Sequence, residues 1–188
     1  KIVSASNIRT RLLNKQNIQD KVPSNVYEIL KDKVLETKYF ECLKYKILSE
    51  DNLEKYVDVD EGLDTRIKKA IKRSNSLDEL IKNIKTKRYT YNKISRMLNH
   101  IFCSFTKEDN KKVRYLEYIR ILGFTEKGRS YLNEIKSEID IPILNKYNTR
   151  YDALRIEKRV TDLYSYIYED IRKQEIQNIP VYIKENQD

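Results

Sequence analysis

Along most of the chain, apolar residues recur three and four apart, the period of a helix buried on one face. Leu63, Ile67, Ala70 and Ile71 form one such stripe. Leu77, Leu80, Ile81 and Ile84 form a second, and Ser76-Leu-Asp-Glu79 at its start predicts a capping box. Thr90 is placed to cap a third helix, with Tyr91, Ile94, Met97, Leu98, Ile101, Phe102 and Phe105 on its apolar face. Short turns join the three, so they are expected to pack as antiparallel neighbours. Upstream, Ser4 and Ser6 are N-cap candidates for a short helix with a partial stripe at Ile8, Leu12 and Leu13. Pro23 and Ser24 open another helix, with Val26, Ile29 and Leu30 on one face. The apolar segment 39–48 reads as either helix or strand.

Beyond Asn110 the period changes. Tyr118-Ile-Arg-Ile-Leu122 predicts a strand, 125–138 a helix carried by Leu132, Ile135 and Ile139, and 141–144 a second strand, a small βαβ crossover. A long helix over 150–172 follows, with Ile156, Val160, Leu163, Tyr164, Ile167 and Ile171 on its face, and the tail from Ile176 is expected to be extended or frayed. The predicted fold class is mainly α: a helical domain with a small βαβ element over 117–146.

Composition agrees with helices, since 188 residues contain only three Gly and three Pro. No apolar run approaches the roughly 20 residues that span a bilayer. Cys42 and Cys103 lie in apolar helical patterns, which suits free thiols in a reducing cytoplasm better than a staple. Met97 is the only methionine, so the chain is expected to be a piece of something longer. The formal charge is +9, and the segment from Arg66 to Arg96 carries eleven Lys and Arg against Asp78 and Glu79 alone. That segment holds as much net charge as the entire chain, which points to a polyanionic partner.

Three motifs are candidates for chemistry. Ser4-Ala-Ser-Asn-Ile-Arg9 sets hydroxyls and a guanidinium at a helix start, a combination suited to nucleotide phosphates, although a serine cap beside a surface arginine looks the same. Gly123 to Ser130 has P-loop spacing after a strand, but Arg129 stands where the lysine belongs and Glu126 would repel a phosphate, so it is read as structural. Lys85-Thr-Lys-Arg-Tyr-Thr90 puts cations beside Tyr89, which suits RNA through phosphate contacts and base stacking. With His100 the only histidine and two cysteines, no multi-histidine metal site, histidine triad or structural zinc site can be assembled.

Together with Glu61-Gly-Leu-Asp-Thr-Arg-Ile67 and Ile121-Leu-Gly-Phe-Thr-Glu-Lys-Gly-Arg129, the first and third motifs resemble, in order and spacing, the C-terminal half of the tRNA(Met) cytidine acetate ligase family, within the nucleotidyltransferase superfamily. The resemblance implies a ligase that activates acetate with ATP as acetyl-adenylate and acetylates N4 of the wobble cytidine of elongator tRNA(Met). It implies residues 1–20 as the end of an α/β nucleotidyltransferase domain otherwise missing here, and 21–188 as a mostly helical C-terminal domain with basic helices over 60–105. ATP is the implied substrate, with magnesium a candidate companion ion. Ser4, Ser6, Ile8 and Arg9 are the implied ATP contacts. The family's His-x-Gly-His motif does not occur in this sequence, so no catalytic residue is assigned and the chain alone is expected to be inactive. From charge, Arg66, Lys69, Arg73, Lys85, Lys87, Arg88, Tyr89, Lys93 and Arg96 are assigned as a tRNA surface. A non-enzymatic basic RNA-binding module, or a protein-interaction domain meeting an acidic partner, remain the alternatives.

Overall fold

The computed structural model describes residues 3–30, 36–60, 62–168, 171–177 and 180–184. Its helices are α1 (Ala5–Leu13), α2 (Ser24–Leu30), α3 (Glu36–Ser49), α4 (Leu63–Ile71), α5 (Leu77–Ile84), α6 (Tyr91–Phe102), α7 (Lys107–Lys112), α8 (Glu126–Ile135) and α9 (Asp152–Ser165). Its strands are two residues each: β1 (Ile119–Arg120), β2 (Gly123–Phe124), β3 (Ile143–Leu144) and β4 (Val181–Tyr182). Two compact units emerge, one of Lys1–Asp51 with Gly62–Ser95, the other of Asn52–Glu61 with Arg96–Asp188.

In the first unit α3, α4 and α5 pack against one another. Phe40, Leu43 and Ile47 of α3, the α4 stripe, and Leu80, Ile81 and Ile84 of α5 are buried. Each aliphatic side chain so removed from water contributes about 1.5–3 kcal/mol. Segment 39–48 is therefore helix, and α3 is the shared neighbour of α4 and α5, a place the sequence pattern gives to α6. Sequence proximity selected α6, whereas the α3 stripe of Phe40, Leu43 and Ile47 supplies the apolar surface. A polar tie reinforces the trio. The buried Ser74 hydroxyl donates to the Ala70 carbonyl at 2.8 Å and accepts from Asn83 at 2.9 Å, while Lys44 Nζ donates to the Ser74 carbonyl at 3.2 Å.

The helix starts follow local chemistry. Gly62 precedes α4 with φ +82°, a left-handed conformation that glycine adopts without Cβ strain. Glu61, the first residue of its motif, lies outside the described residues. Ser76 caps α5 by accepting from the Glu79 amide at 3.2 Å. The Glu79 carboxylate accepts from Asn75 N–H at 2.8 Å, one residue before the position a regular capping box would use. α2 forms after Pro23 but buries none of its side chains, and Ile29 is exposed.

In the second unit Leu53, Tyr56, Val59, Met97, Leu98, Ile101, Phe102, Tyr118 and Leu154 are buried. Phe105, expected on the α6 face, lies beyond that helix and after Ser104, whose φ is +54°. Thr106 and Asp109 form a full capping box at α7. β1 and β3 pair in parallel, Ile119 opposite Ile143 and Arg120 opposite Leu144, with α8 between them in sequence. The strand expected over 118–122 is shorter because the ladder ends with Ile121 N–H donating to Leu144 O at 2.8 Å. The chain then pairs β2 in parallel with β4, a second pair the sequence pattern did not indicate. A Cβ on Gly123 would stand 3.1 Å from the Val181 carbonyl oxygen, so the close approach of these strands favours glycine there.

The long helix is also shorter than its stripe. α9 stops at Ser165, whose hydroxyl donates to the Asp162 carbonyl at 2.7 Å and competes for a helical acceptor. Tyr166 and Ile167 then donate to carbonyls three residues back, the tightened geometry of a helix end. Residues 173–177 form a π-helical turn.

Candidate functional site

The opening motif forms the start of α1. Ser4 takes an extended conformation, and its hydroxyl accepts from Asn7 N–H at 3.3 Å. Ser4, Ser6 and Arg9 are exposed, whereas Ile8 is buried and packs the helix in place. Ser6 and Arg9 stand three residues apart and so share a face. Arg9 has no ion-pair partner among the described residues. The Leu13 side chain lies outside what the structure describes.

The basic residues fall into distinct settings. Lys69, Lys72 and Arg73 on or next to α4, Lys82 on α5, and Lys85 and Lys87 in the following turn are exposed and have no carboxylate partner among the described residues. Lys68 is paired, with Asp64 at 3.1 Å. Arg66 donates from Nε to the Ile84 carbonyl at 2.7 Å and from a terminal nitrogen to the Lys85 carbonyl at 3.3 Å, so it closes the C-terminus of α5. This role was missed from sequence. The available signal was an α5 whose last turn contains only one basic residue, Lys82, for its unpaired carbonyls.

The turn after α5 is ordered. Tyr89 N–H donates to Thr86 Oγ1 at 3.2 Å and Thr86 N–H to the Tyr89 carbonyl at 3.4 Å. The Tyr89 ring carries two cations, Lys93 Nζ at 4.9 Å and the Arg88 guanidinium at 5.5 Å from its centroid. Such contacts are worth about 0.5–1 kcal/mol at exposed sites and hold the two cations close together. Tyr89 is half-buried, so its ring braces these cations. Arg96 belongs to the second unit, where Asp58 binds it at 2.9 Å.

The Gly123–Ser130 segment has no phosphate cradle. Thr125 caps α8 by accepting from Gly128 N–H at 3.1 Å, and Gly128 already lies in the first helical turn. Both cysteines are free thiols. Burial pushes the Cys103 thiol up to about 11, with Arg159 acting weakly in the opposite direction, which leaves it protonated and unreactive at neutral pH. Among the described residues no group of three His, Cys, Asp or Glu side chains could hold a metal ion, and no helix is long and apolar enough to cross a membrane.

A family model for HIGH nucleotidyl transferases matches residues 1–178. The tRNA(Met) cytidine acetate ligase of Clostridium novyi is 37% identical over 98% of this chain and 50% of its own length. That of Clostridium acetobutylicum is 36% identical over 90% and 45%. The chain spans about half the length of these curated relatives. Among solved structures, apo TmcAL of Thermotoga maritima superposes with a TM-score of 0.79 at 23% identity, over 98% of this chain and 52% of that one. TmcAL bound with alpha-thio ATP gives 0.75 over 97% and 52%.

These matches correct the expected fold class. A mainly α domain following a missing nucleotidyltransferase domain does not describe the chain, because the nucleotidyl transferase match runs through the helices and strands from 1 to 178. Helical periodicity reports secondary structure and cannot say to which family's domain the helices belong. The expected inactivity of the chain alone rested on the absence of one short signature, His-x-Gly-His, and the match over residues 1–178 leaves it unsupported. A match over residues 1–178 places the whole of this pattern in one family: the chain belongs to the HIGH nucleotidyl transferases, and its relatives there are tRNA(Met) cytidine acetate ligases.

Proposed function

We propose that this chain serves an ATP-dependent ligase that acetylates the wobble cytidine of elongator tRNA(Met) by way of acetyl-adenylate, binding ATP at the start of α1 and tRNA on the basic face of the first unit. The observation that carries the reading is the set of exposed cations from Lys69 to Lys87 that no carboxylate in the described structure neutralises. A cationic surface left open in this way releases counterions when it meets phosphates, which makes polyanion binding favourable and salt-dependent. An acidic protein partner would be attracted by the same charge, but the names of the relatives favour RNA.

At the nucleotide end, the positive terminus of α1 and the Arg9 guanidinium address phosphate oxygens, Ser4 and Ser6 supply hydroxyls, and buried Ile8 fixes the helix that presents them. Charge moves onto pyrophosphate as the adenylate forms, so a fixed guanidinium there stabilises the transition state. The test is ATP-dependent acetylation of tRNA(Met) by the full-length protein, with tRNA affinity measured in parallel. Arg9→Ala is expected to lower acetylation at least tenfold and leave tRNA affinity within twofold. Arg9→Lys is expected to recover only part of the loss, because an ammonium lacks the planar two-point contact. Normal acetylation by Arg9→Ala removes ATP from this motif.

A further inference from the structure

We infer that Arg66 is a positioning residue for the RNA-binding turn, acting through the exit of α5 instead of touching phosphate itself; this rests on the tRNA reading above. Two of its N–H groups are already committed, to the carbonyls of Ile84 at 2.7 Å and Lys85 at 3.3 Å. These belong to the last residue of α5 and to its C-cap, where carbonyls lack helical partners and carry partial negative charge. At Lys85 the backbone leaves the helix, with φ −54° and ψ 140°, so the direction of everything up to Thr90 is set there. The other hydrogen bonds described within the turn are the two between Thr86 and Tyr89, beside the contacts of Arg88 and Lys93 with the Tyr89 ring. Lys87 and Arg88 project from this short segment.

Arg66 also joins two charged surfaces. Residues 66 and 69 share one face of α4 by their spacing, and Arg73 follows in the turn just after that helix, so Lys69 stands beside the arginine that holds the turn, with Arg73 at the helix exit. Fixing the turn to α4 makes the two sets of cations a single surface of defined spacing, ordered before the polyanion arrives. Ordering in advance lowers the conformational entropy lost on binding. A planar guanidinium can reach two neighbouring carbonyls at once, whereas a lysine ammonium at the same place is a point donor.

Positioning and direct contact give opposite results with the conservative variant. Elongator tRNA(Met) affinity is measured at several salt concentrations on the full-length protein carrying Arg66→Lys, Arg66→Ala, Thr86→Val, or Arg66→Lys with Thr86→Val. The expected result is that both Arg66 variants bind about three- to tenfold more weakly. The Arg66→Lys and Thr86→Val effects should be less than multiplicative when combined, because both loosen the same turn. Amide hydrogen exchange at Tyr89 should quicken in Arg66→Lys while exchange in α3 stays as in the parent. Full affinity in Arg66→Lys, with a weaker salt dependence in Arg66→Ala alone, would make Arg66 a phosphate contact and overturn the inference, as would unchanged exchange at Tyr89. Separately, Lys85→Glu, Lys87→Glu and Arg88→Glu combined tests the tRNA reading. If that variant binds normally the reading fails, and exchange at Tyr89 still decides whether Arg66 holds the turn.

Discussion

The two compact units treat their cations differently. In the second, several arginines are tied to carboxylates: Arg96 to Asp58 at 2.9 Å, Arg120 to Glu157 at 3.1 Å, Arg159 to Asp109 at 2.8 Å and Arg172 to Asp162 at 3.1 Å. In the first, Lys69, Lys72, Arg73, Lys82, Lys85 and Lys87 face solvent without such partners among the described residues. Net charge alone does not make this distinction. A paired arginine consolidates structure, whereas an unpaired one costs little to expose and remains available to a ligand. Substitutions in the second unit should therefore act mainly on stability, and those on the open face of the first mainly on binding.

The largest stability change tests what holds that open face in place. Leu80 of the α5 stripe is fully buried, and Leu80→Ala should destabilise the protein by about 2–5 kcal/mol through lost burial and a residual cavity. Denaturant unfolding measures it. A loss below about 1 kcal/mol would mean that α5 is not anchored by this core.

A smaller loss is expected in the second unit. The Asp109 carboxylate accepts from Thr106 N–H at 3.0 Å and from Arg159 at 2.8 Å. Burial alone would raise its pKa, but the Thr106 amide and the Arg159 guanidinium outweigh that and hold it below the usual carboxylate value. Its folded pKa is depressed, so its contribution is present above the unfolded value of about 3.9 and is lost as pH falls through the lower folded value. Asp109→Asn should remove about 1–3 kcal/mol at pH 7 and flatten the acid limb of the stability profile, with tRNA affinity unchanged. A matching loss of tRNA affinity in a folded variant would blur the contrast between the units.

Cap removal comes next. Ser76→Ala should cost about 1 kcal/mol by leaving the Glu79 amide without its acceptor. Thermal unfolding of this variant beside Ser4→Ala separates a structural cap from one with a functional neighbour. Both should lower stability by similar amounts, but only Ser4→Ala should also weaken ATP binding.

Much of this was legible in the sequence, for reasons visible at particular residues. The α4, α5 and α6 stripes are helices because their apolar residues repeat at helical spacing and Ser76 marks a start. Other features depend on contacts that no local window contains. Gly123 pairs with Val181, nearly sixty positions away, so the β2–β4 pair left only an apolar tail as a trace. The end of α9 depends on one hydroxyl, that of Ser165. In the candidate site, the concentration of cations between Arg66 and Arg96 was readable from the sequence, but which of them stay open was not. The roles of Arg66 and Arg96 were not, since one closes a helix and the other answers Asp58, 38 residues away. Which of the family's domains the chain carries was least legible, because helical periodicity does not say to which domain its helices belong.

The most direct test of the contrast between the units is the salt dependence of tRNA(Met) binding for two matched charge reversals. One variant carries Lys85→Glu, Lys87→Glu and Arg88→Glu in the first unit. The other carries Lys111→Glu, Lys136→Glu and Lys146→Glu at exposed positions of the second. Each lost phosphate contact should lower the slope of log affinity against log salt by about 0.7–0.9. The first variant is expected to bind at least tenfold more weakly with a slope lower by about two, and the second to keep nearly the parental slope. Equal slopes for the two variants, or a parental slope for the first, would contradict a tRNA surface on the first unit.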